Sequence, residues 1–245
     1  MVDFTGGTWR SLIDGTEIVA IPDSAILQWR FAEGSETNTT EELGTFGDQD
    51  GTLSDADMWD DNANKEGGWW LENTGSNNVV TGQWGNFGST VLDENQWGIG
   101  FTLATQETDQ RTIIDVSNND DDTFMEFEIN RISNRVNTAI ADSTNTANNR
   151  VVMDLDVNDG TTRRLFMRMT GDEPEDIEWW ADGEEQSTSI DRNEGQHGTF
   201  TDFDTDVKFF DGRFGPMVGF LDHPIVYDNP STDDIQKDYD IQPWS

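Results

Sequence analysis

The feature that most constrains this chain is a two-residue alternation of apolar and polar side chains, which recurs in short runs along the sequence. Such alternation is typical of strands with one buried face, whereas the 3.6-residue periodicity of amphipathic helices is nearly absent. A single short helix is predicted over residues 231–239, with Ser231 as its cap and Asp233 and Asp234 in its first turn. The predicted strands cover residues 25–31, 112–116, 124–129, 150–157, 164–169, 177–180, 207–210, 217–221 and 224–227.

Turn residues separate these runs and indicate the fold class. Asp159-Gly160 stands between two runs, and Asp182-Gly183 stands between two others. An Asp-Gly step in this position is a strong hairpin signal, so both are predicted to join paired strands. Residues 33–65 are polar and acidic and are predicted to form long loops. The pattern predicts an all-β, two-sheet antiparallel sandwich (a jelly roll) over residues 24–245, with residues 1–23 as a short N-terminal arm.

The net charge of the chain limits the classes of partner it can bind and the salt concentrations in which it is stable. Asp and Glu number 50 against 14 Lys and Arg, which gives a net charge of −36. Such a surface repels nucleic acid, because phosphate binding needs Lys and Arg. Self-repulsion also opposes folding in dilute water, whereas roughly 1 M salt shortens the Debye length to about 3 Å. Lysine occurs only at positions 65, 208 and 237, and Asp outnumbers Glu. We interpret this composition as adaptation to multimolar salt.

Several other classes of site and segment are not expected. The sequence contains no cysteine, which excludes disulfides and thiolate metal sites. No apolar run approaches the roughly 18 residues of a membrane span, and the start of the chain lacks the pattern of a signal peptide. His197 and His223 stand in polar stretches without the spacing of a zinc site or a catalytic triad. We interpret both histidines as surface or turn residues.

Three motifs resemble the laminin-G-like, concanavalin-A-like sandwich domains. Residues 27–34, LQWRFAEG, resemble the W-x-F-D-E-G opening strand of these domains, and residues 179–184, WWADGE, resemble their Y-V-D-G hairpin. Residues 219–239 resemble the closing stretch, G-x-L-D-x-V-x-I-Y-N-x-x-L-S-x-x-E-I. The motifs occur in the family's order, so the resemblance covers about residues 25–240. It implies a concanavalin-A-like fold, and a fold by itself does not define a function.

The start of the chain carries a second resemblance. Residues 4–15 and 21–24, FTGGTWRSLIDG and IPDS, resemble the leader of laminin-G-like proteins from haloarchaea and their tailed viruses. This resemblance implies a virion structural protein, such as a capsid decoration, a turret or a tail fibre. Such a protein is assembled in the host cytoplasm and carried on the extracellular particle. Its implied partners are other virion proteins, further copies of itself in a homo-oligomer, and host surface glycans.

Carboxylates at alternate positions are the candidates for metal binding and catalysis. Asp154, Asp156 and Asp159 space their oxygens as a calcium loop does, so they are candidate ligands for calcium or another cation. They are also the nearest match to the E-x-D-x-x-E strand of sandwich glycosidases, with Asp in place of Glu. Glu126 and Glu128 form another alternating pair, without a third member. The alternative for the three aspartates is a solvated strand face whose intervening apolar residues point inward.

Adjacent aromatic residues are the candidates for binding contacts. Trp69-Trp70, Trp179-Trp180 and Phe209-Phe210 are neighbours, and neighbouring side chains in a strand point to opposite faces. One member of each pair is expected in the core. The other is covered by a loop, buried at an oligomer or virion interface, or exposed for stacking on sugar rings. The candidate carbohydrate or interface residues are Trp9, Trp69, Trp70, Trp179 and Trp180.

Together these features favour a non-enzymatic structural protein in the virion of a haloarchaeal tailed virus. The alternative interpretation is a carbohydrate-binding lectin module of a haloarchaeal cell. A glycoside hydrolase is the third and least favoured interpretation, because its paired carboxylates are incompletely matched.

Overall fold

The computed structural model describes twelve parts of the chain, and the fold is given for these. They are residues 2–5, 8–11, 17–18, 22–29, 39–40, 51–61, 69–75, 79–83, 96–117, 124–141, 148–196 and 206–240. Within them, strands form one three-stranded sheet and two larger antiparallel sheets. No helix in these parts has the length and apolar character needed to cross a membrane.

Twenty strands and one α-helix carry the architecture of the described residues. In chain order they are β1 (Val2–Thr5), β2 (Thr8–Ser11), β3 (Glu17–Ile18), β4 (Ala25–Gln28), β5 (Thr39–Thr40), β6 (Gly51–Leu53), β7 (Trp59–Asp61), β8 (Trp69–Asn73), β9 (Val79–Gln83), β10 (Trp97–Ala104), β11 (Arg111–Ser117), β12 (Phe124–Ile129), β13 (Arg135–Ala141), β14 (Asn148–Asp156), β15 (Arg163–Met169), β16 (Ile177–Ala181), β17 (Glu184–Gln186), β18 (Thr188–Arg192), β19 (Asp206–Phe209), β20 (Gly219–Asp228) and α1 (Thr232–Asp240). Single turns of 3₁₀ helix lie at Ala56–Met58 and Pro174–Asp176.

Two large sheets pack face to face as a β-sandwich, which confirms the predicted fold class. The eight-stranded sheet has the order β17-β16-β15-β10-β20-β8-β7, with β4 also paired to β20. The nine-stranded sheet has the order β18-β14-β13-β12-β11-β19-β9-β6-β5. Strands β1, β2 and β3 form the separate three-stranded sheet. This small sheet lies inside the predicted arm of residues 1–23, whose attachment role stays a prediction.

The main core lies between the two large sheets and is rich in aromatic residues. Phe101 on β10 and Trp179 on β16 come from the eight-stranded sheet, and Phe127 on β12 comes from the nine-stranded sheet. Their ring centroids lie 5.9 to 6.4 Å apart with edge-to-face geometry. This geometry is favourable for aromatic pairs, so the three rings join the sheets at one point.

A second apolar cluster lies on the other face of the eight-stranded sheet, beneath α1. It contains Phe166, Trp180, Ile225, Tyr227 and Ile235. Helix α1 begins as predicted after Ser231, whose hydroxyl accepts a hydrogen bond from the backbone N–H of Asp234 at 3.2 Å. The helix therefore buries a sheet face that would otherwise expose large aromatic side chains.

The first of the two predicted hairpins is wrong. Strands β14 and β15 belong to different sheets, so the turn at Asp159-Gly160 carries the chain across the sandwich. The backbone N–H of Gly160 donates to the carbonyl of Thr105, which ties the turn to the end of β10. The second predicted hairpin, β16–β17, is confirmed, with Asp182 at φ 52° and Gly183 at φ 79° in its turn. Two positive φ angles are what a tight hairpin turn requires.

Two further predictions need correction. The runs predicted at 217–221 and 224–227 form the single strand β20, whose register against β10 shifts between Gly100 and Thr102. His223 lies in this irregular stretch with φ 48°, so the strand bends there without ending. Residues 33–65 are not only loops, because β5, β6 and β7 lie within that range. These strands are only two or three residues long, too short to show an alternating pattern.

Candidate functional site

A polar cluster occupies the outer face of the nine-stranded sheet. On β12, Met125, Phe127 and Ile129 point into the main core, so Glu126 and Glu128 between them point to the opposite face. Asp115 on β11 lies opposite Glu126, and Asn137 on β13 lies opposite Glu128. Arg150 on β14 completes the set. We name these residues the sheet-face cluster: Asp115, Glu126, Glu128, Asn137 and Arg150.

The sheet-face cluster is buried although all its members are polar. Their exposed fractions are 5% for Asp115, 1% for Glu126, 0% for Glu128 and Asn137, and 7% for Arg150. Buried polar groups are normally hydrogen-bonded, since desolvation is otherwise uncompensated. The free-energy cost of burying the cluster therefore depends on how many of its polar atoms are hydrogen-bonded.

Glu128 is hydrogen-bonded through one of its oxygens and lies near a guanidinium with the other. Its Oε2 accepts hydrogen bonds from Nδ2 of Asn137 and from Nε2 of Gln110, both at 3.3 Å. Its Oε1 lies 4.0 Å from Nη2 of Arg150. Arg150 also donates from Nη1 to Asp191 on β18 at 3.2 Å. The guanidinium thus lies between the buried Glu128 and a carboxylate nearer the surface.

Residues 211–216, which we name the cover loop, pack on the same face. The backbone N–H of Arg213 donates to Oε1 of Glu126 at 3.1 Å, and the backbone N–H of Phe214 donates to Oγ1 of Thr112 at 3.3 Å. Gly212 lies so close to β11 that a Cβ there would be 2.6 Å from Cγ2 of Thr112. The cover loop therefore closes one side of the cluster directly above Glu126.

Four buried atoms of the sheet-face cluster have no hydrogen-bond partner in the described structure. They are Oε2 of Glu126, Oε1 of Glu128, Oδ1 of Asn137 and Nε of Arg150. Leaving a buried polar group unpaired costs roughly 1–3 kcal/mol, and more for a charged group. These atoms mark where a ligand with hydroxyl groups would gain hydrogen bonds, because a hydroxyl both donates and accepts.

The position of Glu126 keeps its side chain neutral near pH 7. The pKa of Glu126 is raised from 4.5 to about 8, first by burial and then by the nearby carboxylates of Asp115 and Glu128. The N–H of Arg213 acts in the opposite direction, because it stabilises the charged form. Protonated Glu126 can therefore donate a hydrogen bond, while Glu128 beside it accepts.

The three aspartates predicted as metal ligands are held by arginine instead. Asp154 accepts from Arg135 at 2.8 Å, and Asp156 lies 3.8 Å from the same guanidinium. Asp159 accepts two hydrogen bonds from Arg163, at 2.6 and 2.7 Å. Hydrogen bonds from Arg163, and then from the backbone of Thr161, lower the pKa of Asp159 below its usual range.

These ion pairs account for the three aspartates without a cation. The described residues contain no group of three or more His, Asp or Glu side chains arranged to hold a metal ion. The apolar residues between the aspartates do point inward as the alternative predicted, since Val157 is 2% exposed and Leu155 packs against the main core. This is the strand orientation that the solvated-face alternative predicts, and cation binding by Asp154, Asp156 and Asp159 stays a prediction.

Five tryptophans were candidates for carbohydrate or interface contacts, and the structure describes the side chains of two of them. Trp179 is 0% and Trp180 4% exposed, so neither is available for stacking on a sugar, which corrects that prediction. Trp180 is covered by α1 and lies under the guanidinium of Arg168, 4.9 Å from its ring centroid. The backbones of Trp9, Trp69 and Trp70 lie on β2 and β8, but their side chains fall outside the described residues.

The interpretation of His223 as a surface or turn residue is wrong. His223 is 8% exposed and lies within β20, where its Nε2 is 2.6 Å from Nε2 of Gln28 on β4. Its carbonyl accepts a hydrogen bond from Nη1 of Arg164 at 2.7 Å. His197 lies outside the described residues.

Sequence reasoning found part of the sheet-face cluster. The pair Glu126 and Glu128 was recognisable as alternating acids, but the missing third carboxylate is Asp115 on the neighbouring strand. The available signal was a charged residue at the centre of each of several otherwise apolar strands. Such residues indicate that both faces of a sheet are covered.

Comparisons with known proteins show the fold and no family. Neither the known family models nor the curated proteins include a match to this sequence. Among solved structures, domain 4 of a GH43 extracellular arabinanase from Geobacillus stearothermophilus, in complex with arabinotriose, is similar with a TM-score of 0.61 at 10% identity, over 89% of this chain and 100% of that one.

Two other similar structures are parts of larger molecules. The binding domain of botulinum neurotoxin DC, in complex with rat synaptotagmin II, has a TM-score of 0.65 at 15% identity over 91% of this chain and 53% of that one. A Trypanosoma rangeli sialidase in complex with the inhibitor DANA has a TM-score of 0.59 at 8% identity over 90% of this chain and 33% of that one. This chain thus spans about half and a third of their lengths. At these identities, the comparisons establish the β-sandwich fold alone.

Proposed function

We propose that this protein is a non-enzymatic module that binds glycans on the outer face of its nine-stranded sheet. The observation that carries the proposal is the set of unpaired buried atoms on Glu126, Glu128, Asn137 and Arg150. Carboxylate, amide and guanidinium groups around one small site match the donors and acceptors of adjacent sugar hydroxyls. The similarity to an arabinanase domain in complex with arabinotriose supports the same ligand class.

Access to this site depends on the surface that buries it. The cluster is nearly inaccessible in the structure, and the cover loop lies over Glu126. Its contacts to the sheet include the hydrogen bonds of Arg213 and Phe214 and a bridge between Pro216 and Thr112, and local opening of a surface segment costs less free energy than unfolding of the whole domain. We therefore propose that a glycan enters as the cover loop moves away from the sheet, and that the loop returns to its contact with Glu126 once the glycan is bound.

A glycan array in multimolar KCl tests the proposal. The wild-type protein is expected to bind a subset of immobilised oligosaccharides, and Glu128→Gln is expected to weaken that binding at least tenfold. The matched control is Glu185→Gln, which neutralises an exposed acid on β17. Circular dichroism confirms that each variant is folded. A folded wild-type protein without binding to any glycan contradicts the proposed function.

Glycoside hydrolysis is the second candidate, favoured by one observation. A protonated Glu126 beside the ion-paired Glu128 separates two carboxyls into a proton donor and a charged group, as in acid–base pairs. We favour binding, because both side chains project from one strand face and the cover loop donates to one of them. Incubating the bound oligosaccharide with the protein and separating the products distinguishes the two, since hydrolysis would yield shorter sugars.

The virion role is a separate proposal that rests on sequence alone. Its support is the resemblance of residues 4–15 and 21–24 to leaders of proteins from haloarchaea and their tailed viruses, together with the net charge of −36. Antibody-gold labelling of particles from a halophilic culture that carries this sequence tests it. Gold on the head supports a decoration or turret, and gold at the tail tip supports host attachment. Particles without gold contradict the virion role and leave glycan binding to a cellular protein.

A further inference from the structure

We propose that the sheet-face cluster binds its ligand only while Glu126 carries a proton, with Glu126 as hydrogen-bond donor and Glu128 as acceptor. The inference rests on the proposed function and adds to it a role for each acid and a dependence on pH. Its basis is the arrangement of charges around Glu126 and the unpaired oxygen that this residue presents.

Three acids share the buried face within a short distance. Asp115 is the register partner of Glu126 across the β11–β12 pair, and directly opposed residues have Cβ atoms about 4.5–5.5 Å apart. Glu128 follows two residues along the same strand and points to the same face. Three carboxylates so close together in a desolvated place cannot all be charged without strong repulsion.

The cations around the cluster favour Glu126 as the acid that keeps a proton. Arg150 faces Glu128 and Asp191, and Lys208 on β19 is the register partner of Asp115. The position opposite Glu126 on β13 is Ala139, which has no charge. The charged groups near Glu126 on the outer sheet face and the cover loop include Asp115, Glu128, Arg150, Lys208, Asp211 and Arg213, and the charge of Arg213 lowers the pKa of Glu126.

The cover loop compensates the burial of Glu126 only in part. Arg213 contributes its backbone N–H to Oε1, and the positive charge of its exposed side chain also favours the charged form of Glu126. The pKa of Glu126 is nevertheless raised to about 8, by burial first and then by Asp115 and Glu128. The burial and the charge arrangement thus lead to the same protonation state.

The proton on Glu126 determines what the ligand must offer. Oε1 already accepts from Arg213, so the proton is carried by Oε2, which has no partner among the described residues. A ligand atom at Oε2 must accept a hydrogen bond, and one at Oε1 of Glu128 must donate. Adjacent hydroxyls of a sugar meet both needs. Loss of the proton turns the donor into a third carboxylate and removes this match.

The test is a pH series of binding to the oligosaccharide that gives the strongest array signal, at constant multimolar KCl. With ionisation near pH 8, wild-type affinity is expected to fall about tenfold between pH 7 and pH 9, following the fraction of protonated Glu126. Glu126→Gln is expected to show no such fall, whatever its affinity at pH 7. The control Glu185→Gln is expected to keep the wild-type profile.

The outcomes separate the inference from the proposed function. Wild-type binding that stays constant from pH 7 to pH 9 overturns the inference and leaves glycan binding in place. Absence of glycan binding at every pH overturns both. A ligand-free measurement adds a second criterion, because the carboxyl ¹³C resonance that Glu126→Gln removes is expected to titrate near pH 8. A midpoint below pH 6 overturns the inference.

Discussion

At the scale of single residues, Glu126 links the candidate site to the stability of the fold. Its pKa is about 8 in the folded protein and about 4.5 in an unfolded chain. Between these values the folded state binds more protons than the unfolded state, so the free energy of unfolding falls as pH rises. The contribution of Glu126 is complete below pH 4.5 and is lost progressively up to about pH 8.

Glu126→Gln is therefore expected to change stability in a pH-dependent way. The variant keeps a neutral polar side chain at every pH, so its free energy of unfolding relative to wild type is expected to rise by a few kcal/mol, roughly, from pH 5 to pH 8. Urea unfolding at both pH values in constant KCl measures the difference. Glu185→Gln serves as the control for other acids. A difference that does not change with pH contradicts the assigned ionisation of Glu126.

How far residues could be predicted depended on whether their partners are local. The cap at Ser231 and the turn at Asp182-Gly183 follow from neighbours in sequence, and both are confirmed. The partner of Glu126 is Asp115, which becomes its neighbour only through the register of β11 with β12. A one-residue shift in that register would move Asp115 to the other face. The site therefore could not be predicted from the sequence alone.

At the scale of elements, helix α1 is fixed to the eight-stranded sheet by a buried ion pair. Asp238 on the helix accepts two hydrogen bonds from Arg164 on β15, at 2.7 and 2.5 Å. The hydroxyl of Tyr227 donates to the same carboxylate at 2.6 Å. Gly100 on β10 leaves room for it, because a Cβ there would lie 2.5 Å from Oδ1 of Asp238. The carboxylate of Asp238 is thus a contact point between the helix and three strands of the sheet.

A mutant cycle between Gly100 and Asp238 tests this fit. Gly100→Ala is expected to destabilise the protein by roughly 1–3 kcal/mol, because the added methyl group overlaps the carboxylate. Asp238→Ala is expected to cost about 3–5 kcal/mol, because it leaves the buried Arg164 without its partner. In the double variant the methyl group meets no carboxylate, so Gly100→Ala is expected to cost less. Denaturant unfolding of the four proteins measures this, and strictly additive losses contradict it.

The sequence predicted the types of secondary-structure element, but it did not always predict which strands pair with each other. Both Asp-Gly steps mark real turns, yet only the second joins strands that pair with each other. The first turn is stabilised locally, by the hydrogen bond of Asp159 to the backbone N–H of Thr161 at 2.9 Å. Local turn chemistry determines where a chain reverses. Packing of the whole sandwich determines which sheet the next strand joins.

At the scale of the whole molecule, the net charge of −36 predicts dependence on salt. The described ion pairs use arginine on the strands and leave many acids exposed, so the folded state carries a large unscreened repulsion in dilute buffer. Roughly 1 M salt reduces the Debye length to about 3 Å and removes most of it. The composition is sufficient for this prediction, because net charge depends on totals and not on positions.

Thermal unfolding across a KCl series tests the salt dependence. When the KCl concentration is increased from about 0.1 M to about 3 M, the melting temperature is expected to rise. The expected rise exceeds the roughly 2–4 °C that corresponds to 1 kcal/mol of stability in a chain of this size. Sucrose at equal osmolality is the control, since it stabilises by exclusion from the surface without screening charge. Equal melting temperatures at low and high KCl contradict adaptation to a hypersaline medium.

Strand β20 has a consequence for how the chain is synthesised. It pairs with β10 and β8 on either side and with β4, so the last strand of the described residues is interior to the eight-stranded sheet. The pair of Gln28 with Ile225 spans almost the whole chain. A nascent chain therefore keeps the edges of β8 and β10 open until residue 228 has left the ribosome. Completion of the eight-stranded sheet is then late and depends on contacts of large sequence separation, which favours slow folding. A chain that terminates prematurely would expose the unpaired edges of β8 and β10, and such edges promote aggregation.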